Sequence, residues 1–192
     1  SDVYKRQKLN IDKDGVKIED AVKSGAKIEV PDEAEPNDFY KMEQFEKNII
    51  LPDRTEKMCE HLAGLIKTYG EMQKTIVFCV TMEHAGEVAK HLQNHFAHLG
   101  FPNYAVRIVS EETDSMSLLK TFQYQAQNVP VVATTVDLLS TVFDAPTVQN
   151  IVFMKPIRSP IVFKQIMWLG SRISKEKGKF WYRVIDYTNA TR

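Results

Sequence analysis

The sequence predicts an α/β domain, with a mostly parallel, doubly wound sheet and helices on both of its faces. Short apolar runs rich in β-branched residues alternate with longer segments in which apolar residues recur at the helical period. The connections between them are short, and strands joined through helices form parallel sheets with right-handed crossovers. A chain of 192 residues is long enough for one well-buried domain of this kind.

The chain divides near residue 50. Residues 1–50 predict an irregular lead-in or interdomain segment, because charged and turn-forming residues are dense there and apolar periodicity is short-lived. Within it, 27–30 is a strand candidate. Residues 51–192 predict the α/β domain itself.

The first elements of the domain are marked by caps as well as by periodicity. A helix is expected from Asp53 to just before Gly70, with Asp53 and Glu56 spaced like a capping pair. The apolar run at 74–80 predicts a strand covered on both faces. The same reasoning predicts strands at 104–109, 131–134, 150–154 and 180–187, and helices within 81–100, at 115–124 and at 159–165.

Composition excludes several classes of function. Lys and Arg together number 25, as do Asp and Glu, so the formal net charge is zero and any nucleic-acid contact must be local. No apolar run approaches the ~18 residues that span a bilayer, so no membrane partner is expected. The two cysteines, Cys59 and Cys79, fit neither a disulfide framework nor a zinc site and favour a reducing, cytoplasmic compartment. The two ends lack the features of a whole protein, so an excised fragment is expected.

Hydroxyl side chains follow several predicted strands. Thr81, Ser110, Thr134 and Thr135 stand where strands are expected to end. Ligands of open parallel sheets bind outside the carboxyl ends of the strands, and hydroxyls there suit phosphate oxygens of a nucleic-acid backbone. Ser and Thr after strands also commonly cap helices. Spacing alone leaves both interpretations open.

Three segments in order resemble a known set of motifs. Residues 74–79, 131–146 and 163–172 resemble motifs IV, V and VI of superfamily 2 helicases, in the second RecA-like motor domain. The tail at 175–192 is similar to the restriction (R) subunit of type I restriction–modification enzymes, the ATP-dependent DNA translocase that also carries the nuclease. The resemblance covers about residues 45–192. Each motif is weakly specific, whereas their order and spacing are strongly so.

The resemblance implies roles for individual residues. Thr134 and Thr135 would lie near the DNA backbone, with Ser110 as a further backbone contact. Thr81 is added to the DNA-binding candidates because of its place after a strand. Beyond these, the resemblance places Asp144 opposite the nucleotide across an interdomain cleft, and Gln165 and Arg172 at the ATP, where an arginine neutralises charge that develops on the γ-phosphate.

Two places depart from the family pattern. Val142 stands where the family has Gly, and Trp168-Leu169 stands where it has Gly-Arg. An apolar Leu169 cannot stabilise phosphate charge, which leaves Arg172 as the arginine of motif VI. We therefore expect these substitutions to lower ATP turnover.

The resemblance also implies what must come from outside this chain. No phosphate-cradling P-loop and no carboxylate-x-Lys nuclease core occur in it, so the fragment alone is predicted to be inactive, with no metal or cofactor of its own. In the full-length protein ATP and Mg²⁺ would be held mostly by an N-terminal motor lobe. The implied partners are double-stranded DNA, that lobe and the nuclease domain of the same chain, and the modification and specificity subunits, in a bacterial or archaeal cytoplasm. The alternatives are a non-catalytic docking module with a degenerate helicase fold, and a lobe acting on RNA.

Overall fold

The computed structural model describes residues 26–29, 52–136, 148–156, 159, 161, 164 and 182–188. Of the helix expected at 159–165, Ile161 and Lys164 are helical, Ser159 precedes the helical residues, and 160, 162, 163 and 165 lie outside the described residues. The elements, in chain order, are β1 (Ala26–Glu29), α1 (Pro52–Tyr69), β2 (Lys74–Phe78), α2 (Met82–His95), a 3-10 turn (Ala97–Leu99), β3 (Ala105–Arg107), α3 (Ser115–Gln123), β4 (Val132–Thr135), β5 (Val148–Phe153) and β6 (Tyr182–Asp186).

The strands of the described residues form a single parallel sheet. Its order is β1-β6-β5-β2-β4-β3, and every neighbouring pair is parallel. β2 is central, with Phe78 aligned to Thr135 of β4 on one side and to Phe153 of β5 on the other. The predicted α/β fold with a parallel sheet is confirmed, and the carboxyl ends of the strands lie along one edge.

Helices cover both faces of this sheet. β2 is buried along its whole length, as its continuous apolar run predicts. On one face the apolar sides of α1 and α2 pack against alternate strand residues; this core includes Leu62, Ile66, Val88, Leu92, Val77, Val152 and Ile185. On the other face Phe122 of α3 lies under the ammonium of Lys74, 4.9 Å from the ring centre.

The first helix ends just before Gly70, as the sequence predicts, whereas the helix that Gly100 is expected to end stops at His95 and is followed by a 3-10 turn. Gly70 follows α1 with φ 147°, and Gly100 closes the 3-10 turn with φ 77°, conformations that a residue with a side chain rarely adopts. The strand expected at 104–109 is shorter in the structure, at Ala105–Arg107. Of the strand expected at 180–187, Tyr182–Asp186 is a strand and Tyr187 follows it, while 180–181 lie outside the described residues. No helix within the described part of the chain is long and apolar enough to cross a membrane.

The strand candidate in the lead-in is also present. β1 lies beside β6 at the edge of the sheet, with Ile28 aligned to Val184. Residues 26–29 therefore contribute a strand to the sheet of the following domain, while the division of the chain at residue 50 stays a prediction.

Candidate functional site

Three polar loops meet at the carboxyl edge of the sheet. The backbone N–H of Cys79 donates to the carbonyl of Thr135 (2.8 Å), and that of Ile108 donates to the carbonyl of Thr134 (2.8 Å). The chain therefore leaves β2, β4 and β3 side by side. The loop after β2 carries Thr81, the end of β4 carries Thr134 and Thr135, and the loop after β3 carries Ser110.

Thr81 is the N-cap of α2. Its half-buried hydroxyl accepts a hydrogen bond from the backbone N–H of His84 (3.1 Å), and its carbonyl accepts from the N–H of Ala85 (2.9 Å). The capping interpretation of this residue is thus correct. A hydroxyl that accepts a hydrogen bond still has its own proton to donate, so capping leaves Thr81 able to bind a phosphate oxygen.

His84 holds this loop from within and was missed by sequence reasoning. It is buried, and its Nδ1 accepts a hydrogen bond from the backbone N–H of Val80 (3.1 Å). Burial lowers the pKa of His84 to about 4, so the ring is neutral at pH 7. A single histidine in the first turn of a helix has no signature of its own. Its position three residues after the cap Thr81 was the available signal.

Thr134 differs from the expectation of a DNA contact. Its hydroxyl is fully buried and donates to the carbonyl of Ala85 in α2 (2.7 Å). In this structure the hydroxyl is therefore not offered to a ligand. Instead it fixes β4 against the first turns of α2.

Thr135 is in a different situation. Its side chain is fully buried, yet its hydroxyl oxygen has no hydrogen-bond partner within the described part of the chain. Leaving a buried hydroxyl unpartnered costs on the order of 1–3 kcal/mol. A ligand oxygen at this edge is one partner that would remove this cost.

Ser110 is exposed at the tip of the loop after β3. Its hydroxyl donates to the Glu111 carboxylate (3.2 Å). The hydroxyl is accessible to a ligand, but the adjacent carboxylate repels phosphate. Any contact made by Ser110 is therefore expected to be weak.

Arg107 anchors the base of the loop that carries Ser110. Its guanidinium donates to the carbonyl of Met82 (3.1 Å) and to the carboxylate of Glu112, with which it forms an ion pair. Gly86 leaves room for this side chain, because a Cβ at that position would lie 3.1 Å from Arg107 Nη1. The arginine is thus committed to positioning the loop.

Two further charged residues follow strands at this edge. Lys155, after β5, donates to the carbonyl of Val136 (3.1 Å). Asp186, at the end of β6, is buried and accepts hydrogen bonds from the backbone N–H (2.8 Å) and the hydroxyl (2.7 Å) of Thr188. Asp186 closes its own turn, whereas Lys155 reaches across the sheet.

The residues expected at the nucleotide lie outside the described residues. These are Asp144, Gln165 and Arg172, together with the departures Val142, Trp168 and Leu169. Their roles stay predictions.

Comparisons with known proteins bear on the identity of this fold. The chain is 31% identical over 155 residues to the EcoAI type I restriction enzyme endonuclease subunit of Escherichia coli, covering 80% of the chain and 19% of that protein. It is 27% identical over 163 residues to the EcoKI endonuclease subunit of Escherichia coli strain K12, covering 82% of the chain and 14% of that protein. No family model matches. The chain thus spans a fifth or less of the length of these curated relatives.

Comparison with solved structures leads to the same group of proteins. A fragment assigned to an HsdR subunit of a type I restriction enzyme from Vibrio vulnificus YJ016 has a TM-score of 0.70 and 36% identity, covering 85% of this chain and 31% of that one. T4 UvsW, at a TM-score of 0.53 and 14% identity, covers 85% of this chain and 32% of its own, and shows a likeness of fold alone. With the parallel sheet described above, these matches confirm the resemblance: the chain is homologous to a segment of the endonuclease (HsdR) subunits of type I restriction enzymes, and its fold is the RecA-like α/β fold.

Proposed function

We propose that this chain is the C-terminal RecA-like lobe of the ATP-dependent DNA-translocating motor in a type I restriction endonuclease R subunit. In this role it closes the ATP cleft and contacts the DNA backbone. The observation that carries the proposal is a RecA-like sheet, in a chain homologous to these endonuclease subunits, whose carboxyl edge has accessible hydroxyls at Thr81 and Ser110 and a buried one at Thr135. The alternative is a docking module that keeps the fold without the motor.

The DNA contact follows from local chemistry rather than from overall charge. Because the net charge is zero, attraction to the duplex must come from a few groups at one edge. Thr81 and Ser110 offer hydroxyls, and Thr135 offers a buried hydroxyl without a partner among the described residues. Contacts of this kind hold the phosphate backbone without reading sequence. Double-stranded DNA is therefore the proposed ligand, and base recognition is left to a specificity subunit.

The ATP role rests on the resemblance in motif VI. Gln165 and Arg172 would face ATP bound with Mg²⁺ by an N-terminal lobe, and Asp144 would face it across the cleft. Arg172 would supply the positive charge that the transferring phosphoryl group requires. The proposed partners are that lobe and the nuclease domain of the same chain, and the modification and specificity subunits of the complex.

A titration of labelled duplex at about 50 and 200 mM salt tests the DNA contact. We expect weak binding that falls steeply with salt, since each phosphate contact contributes about 0.9 to the slope of log K against log salt. Ser110→Ala is expected to weaken binding slightly. The matched control Ser117→Ala, exposed on α3, should leave it unchanged. Tight or salt-insensitive binding favours the docking module.

The ATP role is tested with and without the missing lobe. The purified chain is expected to hydrolyse no ATP above background, with or without DNA, because it has no P-loop. DNA-stimulated hydrolysis by the pure chain contradicts the proposed division of labour between two lobes.

A further inference from the structure

Lys155 reaches across the carboxyl end of the central strand. It follows β5, and its ammonium lies 3.1 Å from the carbonyl of Val136, just beyond β4. β4 and β5 flank β2, and neighbouring strands lie about 4.8 Å apart, so the side chain spans nearly two strand spacings. The ammonium therefore lies over the end of β2, where Cys79 begins the loop to Thr81.

Among the described residues, no carboxylate neutralises the charge of Lys155. Within the described part of the chain its hydrogen bond goes to one neutral carbonyl, and no carboxylate forms an ion pair with it. The nearby thiol does not compensate: burial raises the pKa of Cys79 well above its usual value, a shift that the Lys155 ammonium opposes only in part. An ammonium has three donors, and Lys155 is half-buried, so donors are left for a ligand at the surface.

The position of this ammonium is that of a ligand site in a parallel sheet. After β2 the chain places β3 and β4 on one side, and then β5 and β6 on the other. Ligands of open α/β sheets bind at the carboxyl edge where the strand order reverses in this way. Thr135, whose hydroxyl has no hydrogen-bond partner among the described residues, adjoins Val136, to which Lys155 bonds.

We propose that Lys155 is a further phosphate-binding residue of this edge, acting beside Thr135. The proposal deepens the proposed function and rests on it. A phosphate oxygen accepts hydrogen bonds from an ammonium and a hydroxyl together, and the charge-assisted bond is about twice as strong as a neutral one. The favoured source of the phosphate is the DNA backbone. The bound nucleotide is the other source of the same chemistry.

The test compares Lys155→Gln with Lys155→Arg in the 192-residue chain. Labelled duplex is titrated at a series of salt concentrations, and ATP is titrated at low salt. Lys155→Gln is expected to weaken duplex binding and to reduce the salt slope by about 0.9, which is one phosphate contact. Lys155→Arg should keep the wild-type slope, because the charge is kept. Lys120→Gln, which removes an exposed lysine on α3, is the matched control and should behave as wild type.

The outcomes separate this inference from the proposed function. If wild type binds duplex and Lys155→Gln changes neither the duplex slope nor ATP binding, the Lys155 site is wrong and the proposed function stands. If Lys155→Gln reduces ATP binding and leaves duplex binding unchanged, Lys155 is a phosphate-binding residue whose ligand is the bound nucleotide. If wild type does not bind duplex at low salt, the proposed DNA contact and the Lys155 site are both overturned.

A measurement on the unsubstituted chain tests the site without depending on whether the variants fold. Excess duplex or ATP should protect Lys155 from acetylation, as followed by mass spectrometry, while Lys120 stays reactive. Equal reactivity of Lys155 with and without both ligands overturns the site.

Discussion

Protonation of His84 is expected to break the hydrogen bond that holds the loop carrying Thr81. The ring accepts a hydrogen bond at Nδ1 from the backbone N–H of Val80, and a protonated imidazole cannot accept it. The pKa is about 4 in the folded protein against 6.5 for an unperturbed histidine. At about 1.4 kcal/mol per pH unit, the difference corresponds to roughly 3 kcal/mol.

The sign of the effect follows from linkage. Between pH 6.5 and about 4 the unfolded chain binds a proton at His84 and the folded chain does not. The contribution of His84 to the free energy of unfolding is therefore fully present above pH 6.5 and is lost as the pH falls towards 4. At pH 5, about 2 kcal/mol of the total should already be lost to this one residue.

The assay is urea unfolding followed by circular dichroism at pH 7.0, 6.0, 5.5 and 5.0. His84→Gln should cost about 1–3 kcal/mol at pH 7, since the Val80 N–H loses its partner, and should then show a flatter pH dependence than wild type. His98→Gln is the control, because His98 is exposed and this substitution leaves the Val80–His84 hydrogen bond in place. Parallel loss of stability in wild type and His84→Gln between pH 7 and 5 refutes the reasoning.

Three further predictions follow from the same residues and from motif VI. Burial lowers the pKa of Lys74 to about 8, so the unfolding free energy of wild type minus that of Lys74→Met should rise between pH 8 and 10.5, as urea titrations of both proteins at pH 7, 9 and 10.5 would show. Thr134→Val should cost about 1 kcal/mol through the lost bond to Ala85 and leave the salt slope of duplex binding unchanged; a reduced slope would restore Thr134 as a DNA contact. In a reconstructed two-lobe protein Leu169→Arg should raise DNA-stimulated ATP turnover, by up to ~10³ where the remaining apparatus is intact, and Arg172→Ala should lower it; if neither matters, the motif VI assignment is wrong.

The elements of this fold were predictable because their signals are local. Gly70 ends α1 and Thr81 begins α2 through their own backbone and side chain, whatever the rest of the chain does. The continuous apolar run of β2 likewise predicts a buried strand without reference to any other segment, and the strand is buried. What the sequence did not predict is the pairing of β1 with β6, because two segments more than 150 residues apart carry no shared local pattern.

The candidate site was predictable only as a location. The rule that ligands bind at the carboxyl edge identified which loops lie side by side there, but residue type does not reveal where a hydroxyl is directed. Thr134 and Thr135 are adjacent and chemically identical, and alternation along the strand sends them to opposite faces. One bonds to α2 and the other has no partner within the described residues. The two threonines can be told apart only when the packing of α2 against β4 is known.

Positively charged side chains have different surroundings at the amino and carboxyl ends of the strands. Near the amino edge, the Arg183 guanidinium lies 3.3 Å from the centre of the Tyr69 ring and donates to Asn150 (2.8 Å), and the ammonium of Lys74 is buried against a carbonyl. Those cations are enclosed by the protein and cannot attract a ligand. At the carboxyl edge Lys155 is half-buried with donors to spare. Among the described residues of this edge, Arg107 is paired with Glu112, so Lys155 is the cation that our proposal assigns to a phosphate, on the same edge as the carboxylates of Glu111 and Asp186.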